Sequence, residues 1–381
     1  MAASHPSVSP PIAERTKHPF VTYDMIHEIP DALQRTIEST SGQLGSIAGH
    51  LEDRSSFYYT GCGTAFFSAM LGSDILSVGR EELRFRCVQA LELSNHSQLA
   101  EKNATFGVSH SGITKTTLDA LRRAKSRDGY TVGITHFGQS PINQVADQIV
   151  VVGNGPDKSR CHTKCYLTGA LALTEIGIDL LDQRQAAQPK RLQRLREELL
   201  RLPQLTKNVL DSTESVMSDL AEKNAGKGTF YFAGTNGSYP NALEAALKIM
   251  ETSYIPAQGF ETEQILHGPW VSPDGESVLF VIATEERAIE RSLDLVKAAT
   301  SLGSTVVAIV KEGEREISQV CRNVIGLPEV DNQLYPFLSV IPLYLFAYYM
   351  SVRRGYNPDY LRYLTPEYWN ARTIIFPPGT H

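Results

Sequence analysis

Ser56-Phe57-Tyr58-Tyr59-Thr60-Gly61-Cys62-Gly63-Thr64-Ala65-Phe66-Phe67-Ser68-Ala69-Met70-Leu71 changes character in its middle. The first five residues are mostly aromatic or β-branched, which suits a pleated, half-buried strand. Two glycines separated by one residue then allow a sharp turn. Residues 65–76 continue with small and apolar side chains and no proline, which predicts a helix. Strand, glycine turn and helix form the unit from which parallel sheets are assembled.

The same unit returns later in the chain. Thr229-Phe230-Tyr231-Phe232-Ala233 reads as a strand, Gly234-Thr235-Asn236-Gly237-Ser238 as a turn, and 239–252 as a helix. Around the first copy, further strands are expected at 84–91, 105–109, 130–135 and 148–152, with helices at 23–40 and 115–125. Around the second, strands are expected at 277–283, 305–310 and 324–327, with a helix at 288–302. Residues 183–203, rich in Gln, Arg and Glu, read as an exposed helical connector. The expected fold class is therefore α/β, with two similar units, each a parallel sheet flanked by helices. The expected division is an N-terminal arm at 1–19, a first domain at 20–182 and a connector at 183–211. A second domain follows at 212–356, then a C-terminal tail at 357–381, expected over the active site.

Composition agrees with such a chain. Of 381 residues, 42% are hydrophobic and 20% charged, enough to bury two cores. Lys and Arg number 36 against 42 Asp and Glu, a formal charge of −6. That is no electrostatic footprint for nucleic acid or for an anionic membrane surface. Residues 1–18 carry three prolines and no apolar block, so they are not a secretory signal. The apolar run at 338–350 contains Pro342 and falls short of the ~20 residues that cross a bilayer, so a buried helix is expected. The five cysteines do not make a disulfide framework, and a reducing cytoplasm fits them. Cys161 and Cys165 are four residues apart, but no second ligand pair follows, so no metal site is expected.

Two groups of residues carry chemistry. Ser109-His110-Ser111-Gly112-Ile113-Thr114 lies between a predicted strand and a predicted helix. Three hydroxyls and several backbone N–H groups converge there on a helix N-terminus, which suits a phosphate dianion. Thr64, after Gly63 in the first glycine turn, adds a hydroxyl at the edge of the same sheet. The competing reading is that these Ser and Thr residues only cap a helix. The second group is Glu244, Lys248 and Glu251, at i, i+4 and i+7 on one helical face. Without context, a solvated ion pair is the simpler reading. His267, before Gly268-Pro269, sits in a turn, and a carboxylate with an imidazole suits proton transfer near neutral pH.

Together these residues resemble the sugar isomerase (SIS) domain family in its tandem form. They are similar to the isomerase half of glutamine–fructose-6-phosphate aminotransferase and to the fructosamine-phosphate deglycases. The resemblance runs from about Tyr23 to Leu364. It implies two tandem SIS domains, each a flavodoxin-like three-layer sandwich. It implies that Thr64, Gly63, Ser109, His110, Ser111 and Thr114 hold a sugar phosphate. It assigns Glu251 as the base between C1 and C2 of an open-chain sugar. Lys248 would orient Glu251 or neutralise a developing oxyanion, Glu244 would support both, and His267 would open the sugar ring. In the family this histidine comes from the neighbouring subunit, which implies a homodimer. No cofactor and no metal are implied, because a carbonyl already acidifies the adjacent C–H.

Departures from the synthases narrow the expected activity. Only a short arm precedes Tyr23, so glutamine-derived ammonia has no obvious source. Pro366 stands where the synthases carry a C-terminal lysine, and proline forms no imine. Gly155-Pro156-Asp157 and His162-Thr163-Lys164 replace the synthases' Ala-Gly-Thr-Glu and Ser-Thr-Lys, and Ile113 replaces an acidic residue. The tail aromatics, Tyr368 and Trp369, are expected to pack on the body, the alternative being that they line a larger substrate pocket. The leading expectation is a cytoplasmic phosphosugar enzyme acting on an amino-sugar phosphate or ketosamine (Amadori) phosphate, by proton transfer and imine hydrolysis. The alternatives are an aldose–ketose phosphate isomerase or isomerising aminotransferase, and a sugar-phosphate sensor without turnover.

Overall fold

The computed structural model describes residues 14–79, 83–96 and 98–377, so most of the arm expected at 1–19 lies outside the described residues. The chain divides into two units, one extending to Leu192 and resuming at Asp359, the other Gln193–Pro358.

The first unit holds β1 (Ser56–Thr60), β2 (Arg84–Cys87), β3 (Ala104–Val108), β4 (Tyr130–Thr135) and β5 (Gln148–Val151). All pairings are parallel, in the order β2-β1-β3-β4-β5. Period-2 alternation divides β1 between the two faces. Tyr58 packs with Ala90, Leu93, Ala120 and Ala124 on one side. Tyr59 stacks on Phe106 with ring centroids 4.9 Å apart. The middle strands β3 and β4 are buried at every residue, which is why they read as continuous apolar or small runs.

The second unit repeats this topology. Its strands are β6 (Thr229–Gly234), β7 (Ala257–Glu261), β8 (Ser277–Ala283), β9 (Thr305–Lys311) and β10 (Asn323–Leu327). Their spatial order is β7-β6-β8-β9-β10, again all parallel. Counted within its own sheet, each unit is ordered 2-1-3-4-5, the flavodoxin-like arrangement. One face of the second sheet buries Tyr231, Leu279, Val281, Val306 and Ala308 under the helix Ile289–Ser301. The other face stacks Phe232 on Phe280, and Phe280 meets Phe346 of the helix Tyr335–Arg353.

Several expectations need correction. β7 was not anticipated, because Ala-Gln-Gly-Phe-Glu carries no β-branched residue and only weak alternation. Its Gly259 is required by close approach: a Cβ there would lie 2.5 Å from the backbone of Ala242. The strand expected at 84–91 ends at Cys87, and Ala90–Asn95 is a helix. The helix expected at 23–40 is two, Val21–His27 and Ile29–Thr40, the second opening with Pro30 in its first turn. The connector is helical but not simply exposed. It belongs to Pro189–Leu199 and Leu202–Asn224, with Leu192, Leu195, Leu199 and Leu202 buried. The apolar run at 338–350 lies in the longer helix Tyr335–Arg353, whose segment is long and apolar enough to cross a membrane by length and composition. It is nonetheless buried, packed against Leu202–Asn224 and Ser238–Ser253.

The tail was expected to pack on the body, and its aromatics do not do so. The helix Pro366–Ile375 has no buried residue, and Tyr368 and Trp369 are exposed. Their rings lie instead under arginines of the same tail, Arg362 over Tyr368 and Arg372 over Trp369. Within the first unit, the start of the tail is held by a buried carboxylate. Asp359 accepts from the backbone N–H groups of Val21 (2.9 Å) and Thr22 (2.7 Å).

Candidate functional site

β1 and β3 are neighbours, with Thr60 opposite Gly107, so the loops leaving their C-terminal ends emerge side by side. This is the topological switch point of the sheet, where α/β folds bind ligands. The first loop is Gly61-Cys62-Gly63, leading into the helix Thr64–Ser73. A Cβ on Gly61 would meet the backbone of Ala65 at 2.8 Å, and Gly63 has a positive φ of 54°. The tight turn brings the Thr64 N-terminus up to the strand end.

The second loop is Ser109–Thr114, leading into Lys115–Lys125. The buried Ser109 hydroxyl accepts from Gly112 N–H (3.1 Å) and donates to Thr114 Oγ1 (3.2 Å). Gly112 has φ +67°, and a Cβ there would sit 2.1 Å from Ser140 Oγ. Thr114 takes the N-cap position without a side-chain bond to the helix. The simple capping reading therefore does not account for these hydroxyls. They are gathered into a loop at a helix N-terminus, partly exposed at Ser111, Ile113 and Thr114. Among the predicted residues the structure joins Ser109, Gly112 and Thr114 directly, and sets Gly63 and Thr64 on the adjacent strand's loop.

His110 faces a different set. Its Nδ1 lies 3.2 Å from His136 Nδ1, and its ring centroid lies 4.3 Å from that of His162. His136 Nε2 is 3.0 Å from Thr168 Oγ1, and Thr168 donates its own proton to the carbonyl of Lys164 (3.1 Å). With the Thr168 proton on that carbonyl, Thr168 accepts from His136, and His136 carries its proton on Nε2. Burial lowers His136 well below the usual histidine range, with His110 and Lys164 adding to the effect. A neutral ring protonated on Nε2 offers Nδ1 as acceptor, so His110 donates from Nδ1 and keeps a lone pair on Nε2. Burial also lowers His110, with Asp157 opposing and Lys164 assisting. Lys164 itself is buried and bonded to Glu28 (2.6 Å) and Asn154 (2.9 Å). His136, His162 and Asp157 were not singled out as site residues. Two separate loops, one after β4 and one between β5 and the helix Lys164–Gln183, bring them to His110, and no local spacing signals that.

In the second unit the helix Ser238–Ser253 follows β6 and carries the carboxylates. Glu244 is 0% and Lys248 1% exposed, which overturns the solvated-pair reading. Lys248 Nζ lies 3.4 Å from Glu244 Oε1 and 2.7 Å from Glu251 Oε2. Tyr344 donates to Glu244 Oε1 (3.1 Å). Asn241 anchors the same helix to Pro336 O (2.7 Å) and Ser339 Oγ (2.8 Å). The chain Tyr344–Glu244–Lys248–Glu251 thus runs from the core to one partly exposed carboxylate, whose side chain is 26% accessible. A carboxylate held this way has a fixed orientation and a cation behind it, the arrangement a base needs when an oxyanion develops nearby. His267 is not part of this cluster. Its side chain is 74% exposed and bonds Glu263 (3.0 Å), which Arg291 also holds.

The SIS domain family model matches residues 50–174 and 225–354, one segment in each unit. The chain belongs to the SIS domain family, as two tandem SIS domains. It is 31% identical over 361 residues to glutamine–fructose-6-phosphate aminotransferase (isomerizing) of Symbiobacterium thermophilum, covering 91% of this chain and 58% of that protein. The enzyme of the same name from Clostridium tetani is 28% identical, over 88% of this chain and 56% of its own length. The chain thus spans somewhat over half the length of these relatives. The C-terminal domain of glucosamine-fructose-6-phosphate aminotransferase from Francisella tularensis shares the fold, with a TM-score of 0.84 at 20% identity. That likeness covers 91% of this chain and 100% of the other. Glucosamine-6-phosphate deaminase from Thermotoga maritima gives 0.73 at 22% identity, covering 89% and 96%.

Proposed function

We propose that this SIS protein is a phosphosugar enzyme acting on an amino-sugar phosphate or a ketosamine (Amadori) phosphate. The observation that carries the proposal is the buried Glu244–Lys248 pair ending on the partly exposed Glu251. In this reading the Ser109–Thr114 loop, with Gly63 and Thr64, receives the phosphate through hydroxyls, backbone N–H groups and helix N-termini. His110 belongs to the same loop, with its ring turned toward His136. Glu251 takes a proton at C1 or C2 and returns it at the neighbouring carbon, passing through an enediol or enamine. Lys248 keeps Glu251 aimed and offsets negative charge on the substrate oxygen. Proton transfer in an aminated sugar yields an imine, and water then releases amine or ammonia. None of these steps calls for a residue from outside the proposed site set.

Imine hydrolysis is preferred over amination because the resemblance puts Pro366 where the synthases carry a lysine. Proline lacks the primary amine that an imine requires, and here it opens the helix Pro366–Ile375. A simple isomerising reaction is the second reading, supported by the names of the aminotransferase relatives. The exposure of His267, beside exposed Trp270 and Val271, supports its service to the partner in a homodimer.

The test is release of amine from glucosamine 6-phosphate, fructosamine 6-phosphate and fructosyl- and glucosyl-amino-acid 6-phosphates. Loss of a general base costs roughly 10²–10⁴-fold, so Glu251→Gln should lower turnover by that factor. Isomerised sugar phosphate without amine would select the second reading. Equal rates in wild type and Glu251→Gln would refute both.

A further inference from the structure

We propose that His110, Asp157 and Cys165 of the first unit form a binding site for one divalent transition-metal ion, zinc by preference. Each offers one ligand atom, and these atoms lie within 4.8 Å of one another. An imidazole, a carboxylate and a thiolate together suit zinc rather than magnesium or calcium, which favour all-oxygen shells. A tetrahedral shell with bonds of ~2.0–2.3 Å has ligand–ligand edges of about 3.3–3.8 Å, so the side chains need to draw in by about 1 Å.

Asp157 provides an independent pointer. It is 2% exposed, and its Oδ2 accepts from the backbone N–H of Cys165 (3.1 Å). Its Oδ1 is buried with no hydrogen-bond partner. A buried carboxylate oxygen left unpaired is costly, and a cation at this point would satisfy it. His110 is also arranged as a metal-binding histidine usually is. Its Nδ1 is engaged by His136, whose Nε2 is engaged by Thr168, so ring orientation and tautomer are held from behind. Lys164, the nearby buried cation, is paired with Glu28, which limits its repulsion of a metal.

Binding replaces the thiol proton of Cys165 by the metal and releases it to solvent, with no change of oxidation state. Three protein ligands leave one tetrahedral position for water or a ligand oxygen. His110 lies within the Ser109–Thr114 loop, so the ion would stand beside that loop. The Cys161–Cys165 spacing did not announce this site because only Cys165 takes part. The other ligands come from two different loops. The proposal does not rest on the proposed reaction.

The experiment is cobalt titration of the metal-stripped full chain, with zinc content measured on protein purified without chelator. One equivalent of cobalt is expected, with a thiolate-to-metal charge-transfer band and the visible bands of a tetrahedral site, displaced by zinc. Cys165→Ser should abolish the charge-transfer band, and Asp157→Asn should weaken binding at least tenfold. His110→Gln, on the partly exposed loop, gives the same test should either buried variant misfold. Glu251→Gln should bind cobalt like wild type, which separates this proposal from the fate of the proposed function. Absence of a charge-transfer band in wild type, or its survival in Cys165→Ser, overturns the proposal. So does unchanged affinity in His110→Gln.

Discussion

Glu175 gives a stability prediction whose size can be worked from the structure. It lies in the helix Lys164–Gln183, is buried, and its Oε2 accepts from the Thr40 hydroxyl (2.7 Å). Burial is the largest influence and pushes its carboxyl up from 4.5 to about 7, with the Thr40 bond opposing and Asp179 adding. The folded state therefore holds a proton that the unfolded chain gives up near pH 4.5. As pH rises from there, the unfolded state binds fewer protons than the folded one, and stability falls. The fall ends above about pH 7, where both states are ionised. With 1.36 kcal/mol per unit, the contribution lost between pH 5 and pH 8.5 is about 2.5 kcal/mol. Glu175→Gln keeps the shape and the acceptor for Thr40 but cannot ionise. Any cost of placing its amide N–H groups in the core is the same at every pH. Urea unfolding at the two pH values should show wild type losing about 2.5 kcal/mol more than the variant. Parallel pH dependence in the two proteins would refute the assigned burial of the charge.

Lys248→Met should destabilise the second unit by ~3–5 kcal/mol, because it strands the Glu244 carboxylate in the core. Glu244→Gln/Lys248→Met should recover most of that loss while remaining inactive, read by thermal unfolding alongside turnover. Ser109→Ala or Thr114→Val should weaken phosphosugar binding by about 1.5–3 kcal/mol if each contacts the charged phosphate, seen as a raised KM with a smaller change in kcat. Gly112→Ala should cost on the order of 2 kcal/mol, since positive φ and contact with Ser140 oppose the same methyl group, as checked by denaturant titration. Mixing Glu251→Gln with His267→Asn, each inactive alone, should restore turnover through heterodimers if His267 serves the partner's site. No recovery after subunit exchange would place His267 in the site of its own subunit, and an active His267→Asn would place it outside the reaction.

Much of the fold was legible because its signals are local. Aromatic and β-branched runs at 56–60, 130–135, 229–233 and 277–283 end at glycine turns, and strand and helix formation respond to that near-neighbour chemistry. β7 is not legible in the sequence because Gly259 serves its approach to Ala242, a contact between residues distant in sequence, and not strand propensity. The site divides the same way. Ser109–Thr114 and Glu244–Lys248–Glu251 were visible because each lies within one loop or one helix face. Spacing could not say whether the second set was solvated or buried. That depends on Tyr344 and the helix Tyr335–Arg353 closing over it. It also could not assemble His110, His136, Asp157, His162 and Cys165, which only the folded first unit gathers. Sequence alone determined which chemical groups sit at strand ends and along helix faces, since those positions follow from short-range periodicity. The tertiary structure decided which groups lose water and which distant groups become neighbours, because burial and long-range proximity are properties of the packed chain.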